Sequence, residues 1–123
     1  MVNGLSTPNG TSVEQLSGQL VDAVADPRVE SIFLLIDSPG GCIDGLADFA
    51  ADVYEASFDK PVVAYCDDLC ASAAYWIASQ ANAIYANQTA DVGSIGVYSV
   101  YMDSSKYAAD KGFKFHIIRS GEN

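Results

Sequence analysis

Basic residues are scarce in this chain: six lysines and arginines stand against sixteen acids, for a formal net charge of −10. Nucleic-acid binding is excluded on that ground, because phosphate contacts need a basic patch. The nearest approach to one, Lys106, Lys111, Lys114 and Arg119, is interrupted by acids. The acids are spread along the chain and read as a solvated surface rather than a tail. Histidine occurs once, at His116, and cysteine three times, at Cys42, Cys66 and Cys70. The cysteines are odd in number and lack CxxC spacing. Cys66 and Cys70 are four apart with no histidine near them, which excludes a zinc site and a disulfide framework. They read as free buried thiols in a reducing compartment. No apolar run approaches the roughly 20 residues of a membrane span, and no signal-peptide pattern opens the chain. The expectation is a soluble, cytoplasmic protein. Internal repeats are absent too, and 123 residues leave room for one domain with a single core.

What is present begins with Ile32 to Gly41, IFLLIDSPGG. The apolar run does not alternate, so it reads as a strand buried on both faces. Pro39 removes a backbone donor, and the two glycines after it let the backbone approach a ligand and present N–H groups. Ahead of it, Met1–Ser12 reads as a loop or arm, and Ser12 with Gln15 resembles a capping box opening a helix over Val13–Ala25. The expected domain organisation is therefore an arm over residues 1–12 and a core over residues 13–123. After the glycine turn, Asp44 to about Ser57 is helical, with Leu46, Phe49, Ala50, Val53 and Tyr54 on one face. Pro61–Tyr65 is a short strand, Cys66–Cys70 a polar turn, Ala71–Ser79 a helix of small residues, and Asn82–Ala86 a strand. Gln88–Val92 is a loop, Gly93–Val97 leads into a strand to about Met102, Ser104–Lys111 is a helix capped by Gly112, and Lys114–Ile118 is a final strand. Strands alternating with helices predict an α/β fold, a mostly parallel sheet with helical crossovers.

One serine stands where chemistry could start. Ser72 lies where a strand has passed through a turn and a helix begins, with small neighbours that leave space for a substrate. The N–H of Ala73 would join the amides of the glycine turn as two donors for one oxyanion. The plainer alternative makes Ser72 an N-cap. The general base stays open: His116 sits in the final apolar strand, and Lys60, Lys106, Lys111 and Lys114 lie in helix-end or exposed contexts.

DSPGG at Asp37–Gly41, CASAAYWIAS around Ser72 and GSIGV at Gly93–Val97 together resemble the signal peptide peptidase A family of serine peptidases, in particular its phage and prophage capsid-assembly (prohead) protease branch. NGTSVEQLSGQLVDAVADPRVESI matches the helix and loop that lead into DSPGG there, so the resemblance covers about Asn9 to Gly121. It implies a Clp/crotonase-type fold, a serine–lysine dyad and endopeptidase activity with no metal or organic cofactor. Carried onto this chain, it makes Ser72 the nucleophile and Gly41 and Ala73 the oxyanion donors. Gly40 would shape the turn, and Ser94 and Ile95 would line the substrate cleft. Many members have Ser-Gly-Gly-Tyr at the nucleophile; here Ser72-Ala73-Ala74-Tyr75 keeps the amide and the small volume. The family's lysine follows a Ser-Gly pair in patterns resembling SGxxK, and here Ser120-Gly121-Glu122-Asn123 ends the chain. The base would be the next residue, so the expectation is a core truncated at both ends and impaired by itself.

The resemblance further implies a polypeptide substrate (phage scaffold or capsid proteins, or cleaved signal or membrane peptides), phage scaffold or capsid proteins among the partners, and assembly into homo-oligomeric rings. Two alternatives share the fold: a non-catalytic assembly module and a crotonase-type acyl-CoA enzyme. The latter would not need a serine at the start of the second crossover helix.

Overall fold

The computed structural model describes residues 10–114, 116 and 118. The first helix, α1 (Val13–Ala25), starts where expected, because the Ser12 hydroxyl accepts a hydrogen bond from the Gln15 N–H at 3.2 Å. Its far end is closed from a distance: Lys60 Nζ donates to the carbonyls of Ala23 and Asp26 at 2.7 and 2.6 Å, satisfying carbonyls the helix leaves orphaned. Beside it, the Arg28 guanidinium forks onto the Asp26 carboxylate and holds it below the usual carboxylate range. The second helix, α2 (Leu46–Asp59), buries Leu46, Phe49, Ala50, Val53 and Ala56, one stripe at helical spacing. Tyr54, expected on that stripe, is exposed and meets Phe58 edge-on.

Between and after these helices run β1 (Ile32–Ser38), β2 (Val62–Ala71), a short α3 (Ala73–Ala78), β3 (Ala83–Ala86), β4 (Asp91–Gly93) and α4 (Ser105–Asp110). Every pairing among the strands is parallel. The long strand β2 is the spine. β1 pairs along one edge, and the other edge is shared by β3, over Val63–Cys66, and β4, over Leu69–Ala71. Asn82 fastens the start of that second edge: its Oδ1 accepts from the Val62 N–H at 2.7 Å. This is the expected α/β architecture.

Four expectations are corrected. First, β1 is not buried on both faces. Leu34 and Ile36 turn toward the helices, while Phe33 and Leu35 are 62% and 67% exposed. Helices cover one face only among the described residues, so an apolar strand that does not alternate in sequence alternates in burial. Second, Cys66–Cys70 is not a turn but the middle of β2. Ile36 pairs with Cys66 and Ser38 with Cys70, so β1 advances two residues while β2 advances four. This bulge lets Asp67 and Asp68 face solvent while both cysteines stay in the core. Third, the helix expected over Ala71–Ser79 starts only at Ala73, because Ala71 is still in the strand. Fourth, the strand expected after Gly93–Val97 and running to about Met102 does not form; the strand observed here, β4, is Asp91–Gly93, mostly within the loop expected over Gln88–Val92. Residues 94–104 have no partner strand among the described residues, and Ile95, Val97, Tyr98, Val100, Tyr101 and Met102 are exposed. The final strand expected over Lys114–Ile118 includes Phe115 and Ile117, which lie outside the described residues. The arm expected over residues 1–12 lies mostly outside them too.

The core has two parts. Val13, Leu20, Leu46, Phe49, Val53, Val62 and Ile77 form the larger, between α1, α2 and the sheet. Ala64, Cys66, Cys70, Ala74 and Ala78 form the smaller, under α3. Small residues there let α3 lie close to β2, which decides where the end of that strand points. Phe49 is 2% exposed and Phe58 72%. Phe49→Ala is therefore expected to lower the unfolding free energy in urea by about 3–5 kcal/mol, and Phe58→Ala by less than about 1 kcal/mol.

Candidate active site

The bulge in β2 sets the geometry from which the site is built. It brings Ser38, at the end of β1, level with Cys70, so the Pro39–Gly41 turn falls across the end of β2. The approach is close. A Cβ on Gly40 would lie 2.7 Å from the Ala71 carbonyl oxygen, 2.8 Å from Ser72 Cβ and 2.9 Å from the Ala73 nitrogen. Gly40 also has φ +97°, in the region L side chains avoid. Only glycine fits, for both reasons.

Ser72 sits at the joint between β2 and α3 with φ 55° and ψ −121°. A serine in this region costs of order 1–3 kcal/mol and persists only where its surroundings fix it. Here its N–H donates to the Gly93 carbonyl at 2.8 Å, and its own carbonyl accepts from Trp76 N–H at 3.0 Å. The N-cap alternative is answered by the side chain, which makes no capping hydrogen bond. Ser94, the residue after β4, also has a positive φ, 54°.

Ser72 opens on a cleft of about 720 Å³ that it shares with Gly41, Ala73, Ser94 and Ile95. An overlapping cavity, also lined by Ser72, adds Pro39 and Gly40 to Gly41, Ser94 and Ile95. The six residues singled out from sequence thus meet in one place. Several lining residues were not singled out. Ile43 and Leu46 follow the glycine turn, and Trp76 lies one helical turn after Ser72. The position of Trp76 was legible, since i and i+4 share a face. Cys42, expected buried, is exposed and lines both cavities.

No lysine or histidine lines the cleft among the described residues, and its one carboxylate is Asp44. Lys60 is committed to the end of α1. Lys111 lies over the Tyr107 ring, and Lys106, Lys114 and His116 are exposed and line neither cavity.

Beneath the site, the free thiols of Cys66 and Cys70 are both buried. Burial first, and the neighbouring Cys66 thiol second, push Cys70 up to about 12.

The model of Peptidase family S49 matches residues 55–123. The chain belongs to that family. It is 34% identical to the head-tail preconnector protein GP5 of Enterobacteria phage P21 over 98% of this chain and 28% of that protein. It is 33% identical to the capsid assembly protease C of Escherichia phage lambda over 92% of this chain and 26% of that protein. The chain thus spans little more than a quarter of the length of these relatives. A solved enoyl-CoA hydratase/isomerase family member superposes on 63% of this chain and 38% of its own with a TM-score of 0.54, at 22% identity. That likeness establishes the crotonase-like fold.

Two outcomes follow from this geometry. Gly40→Ala is expected to destabilise the fold by about 2 kcal/mol or more in urea, since the added methyl meets backbone atoms and a left-handed φ together. The Cys70 proton is held more tightly folded than unfolded, where its ordinary value is 9.0. Its contribution to stability is complete below about 9 and is lost as pH rises toward about 12. In thermal melts from pH 8 to 11, Cys70→Ala should therefore show a shallower alkaline decline than the unsubstituted chain.

Proposed function

We propose that this chain is the core of a serine endopeptidase, with Ser72 as the nucleophile. One observation carries the reading. Ser72 is held in a strained joint with its hydroxyl free of any cap, in a cleft whose opposite wall is a turn that only glycine permits. Membership of Peptidase family S49 supports it. In this mechanism Ser72 Oγ attacks the scissile carbonyl, and its proton passes to a base. The backbone amides of Gly41 and Ala73 receive the negative charge that forms on the carbonyl oxygen. Ala73 is the first residue of α3, so its N–H is one that the helix leaves without a partner. Gly40 holds the turn against Ser72, and Ser94 and Ile95 line the groove for the substrate backbone. Collapse of the tetrahedral intermediate breaks the C–N bond as the base returns the proton to the leaving amine, and the acyl-serine left behind is hydrolysed by water.

The base in this reading is a lysine that follows Ser120-Gly121 just after Asn123, completing a Ser–Lys dyad. None of the chain's four lysines lines the cleft, which supports placing the base elsewhere. The substrates are polypeptides. Relatives named for head-tail connection and capsid assembly favour phage scaffold and capsid proteins in a bacterial cytoplasm or prohead. The apolar walls contributed by Ile43, Leu46 and Trp76 favour small or apolar side chains at the cut. Homo-oligomeric assembly is supported by the exposed apolar residues between Ile95 and Met102. No helix among the described residues is long and apolar enough to cross a membrane.

A fluorophosphonate probe tests the nucleophile. Slow covalent labelling at Ser72 is expected, abolished in Ser72→Ala and accelerated when a lysine is appended after Asn123. Labelling that survives Ser72→Ala, or none even with the lysine, refutes the reading and favours a non-catalytic assembly module. Rapid casein hydrolysis by the 123 residues alone would refute the dyad.

A further inference from the structure

Resting on the reading of Ser72 and Gly41 above, we propose that Ser38 is a positioning residue: its buried hydroxyl anchors the Pro39–Gly40 peptide unit, the base from which the next unit presents the Gly41 N–H. Ser38 closes β1 and is only 8% exposed. It continues the inward-facing set of Ile32, Leu34 and Ile36, so a hydroxyl stands where the pattern asks for another aliphatic side chain. Burying a hydroxyl is costly unless it is hydrogen-bonded. This one is bonded: Ser38 Oγ accepts from the Gly40 N–H at 3.2 Å.

The placement matters because the turn cannot be stiffened at Gly40. A side chain there would collide with Ala71, Ser72 and Ala73, and a residue without Cβ has the widest backbone freedom of any. Restraint has to come from the neighbours. Pro39 fixes its own φ but has no N–H to anchor. The Ser38 hydroxyl supplies the anchor, from a strand end whose height is set by pairing with Cys70. The Gly41 N–H belongs to the peptide unit joining Gly40 to Gly41. The Ser38 bond holds the unit just before it, Pro39–Gly40, so loss of that bond lets Gly40 shift as a whole and carries the Gly41 N–H away from the Ala73 amide. Ser12, the other buried polar side chain among the described residues, caps a helix; Ser38 does the corresponding work for a turn.

The test compares the unsubstituted chain with Ser38→Ala and Ser38→Thr. Labelling of Ser72 by a fluorophosphonate is followed against probe concentration to separate the maximal rate from the half-saturating concentration. Ser38→Ala is expected to lower the maximal rate about tenfold or more, with the half-saturating concentration within about twofold, and Ser38→Thr to restore most of the rate. In spectra of ¹⁵N-glycine-labelled protein, the Gly40 and Gly41 amide resonances should move in Ser38→Ala and return in Ser38→Thr. A merely structural role would not produce that split or that rescue. Unchanged labelling kinetics in Ser38→Ala, or glycine resonances that stay in place, overturn the proposal alone. Absence of Ser72 labelling in the unsubstituted chain overturns the nucleophile reading and this proposal together.

Discussion

The structure turns on a contact between two stretches of backbone. The turn after β1 lies on the joint after β2 at a separation that leaves no room for a single methyl group. Such closeness is attainable only between peptide units, because any side chain would hold them apart. It is what allows amides from two remote parts of the sequence to face one small volume. The rest of the described fold can be understood as the means of achieving that distance. The bulge shortens β2 relative to β1 until their ends coincide. The alanines and cysteines under α3 keep that helix close to the sheet. The larger cluster of aliphatic and aromatic side chains ties α1 and α2 to the same face.

The bulge also reconciles two requirements that conflict in a regular strand. Residues 66 and 70 of an unbroken strand would both face the core but lie about 13 Å apart. Here they share a cluster, and the intervening aspartates are turned to water. A polar pair in the middle of a buried strand is thus accommodated without an unsatisfied charge: among the described residues no buried side-chain nitrogen or oxygen lacks a partner. The acidic character of the chain stays on its surface, and the cleft walls are mainly apolar.

Much of this was legible in the residues, and the failures have physical causes. Helices α1 and α2 follow directly from Ser12 and from the spacing of Leu46, Phe49 and Val53, because capping and periodicity are local. The gathering of Gly40, Gly41, Ser72, Ala73, Ser94 and Ile95 was visible through three motifs in order, since each motif marks the end of a strand. The bulge was not legible. Asp67-Asp68 carries the chemistry of a turn, and only the pairing partner reveals that the strand continues through it. The exposure of Phe33 and Leu35 was equally hidden, because composition says that a strand is apolar and not which layers cover it. The end of β4 at Gly93 depends on whether a neighbouring strand exists, which no local signal near Gly96 or Tyr98 reports.

The strand β4 is three residues long and largely exposed, yet the Gly93 carbonyl at its end receives the Ser72 N–H. A strained residue of the site is therefore held by the shortest strand among the described residues. Free energies of opening within a protein range from near zero at frayed ends up to the global value. Release of so short a strand lies toward the low end of that range, and it would let Ser72 relax while α1, α2 and β1 stay folded. Opening of the joint is then expected to cost less than unfolding the whole domain. Anything that pins Asp91–Gly93 would raise the fraction of molecules with Ser72 in its strained geometry, without altering a single residue of the cleft.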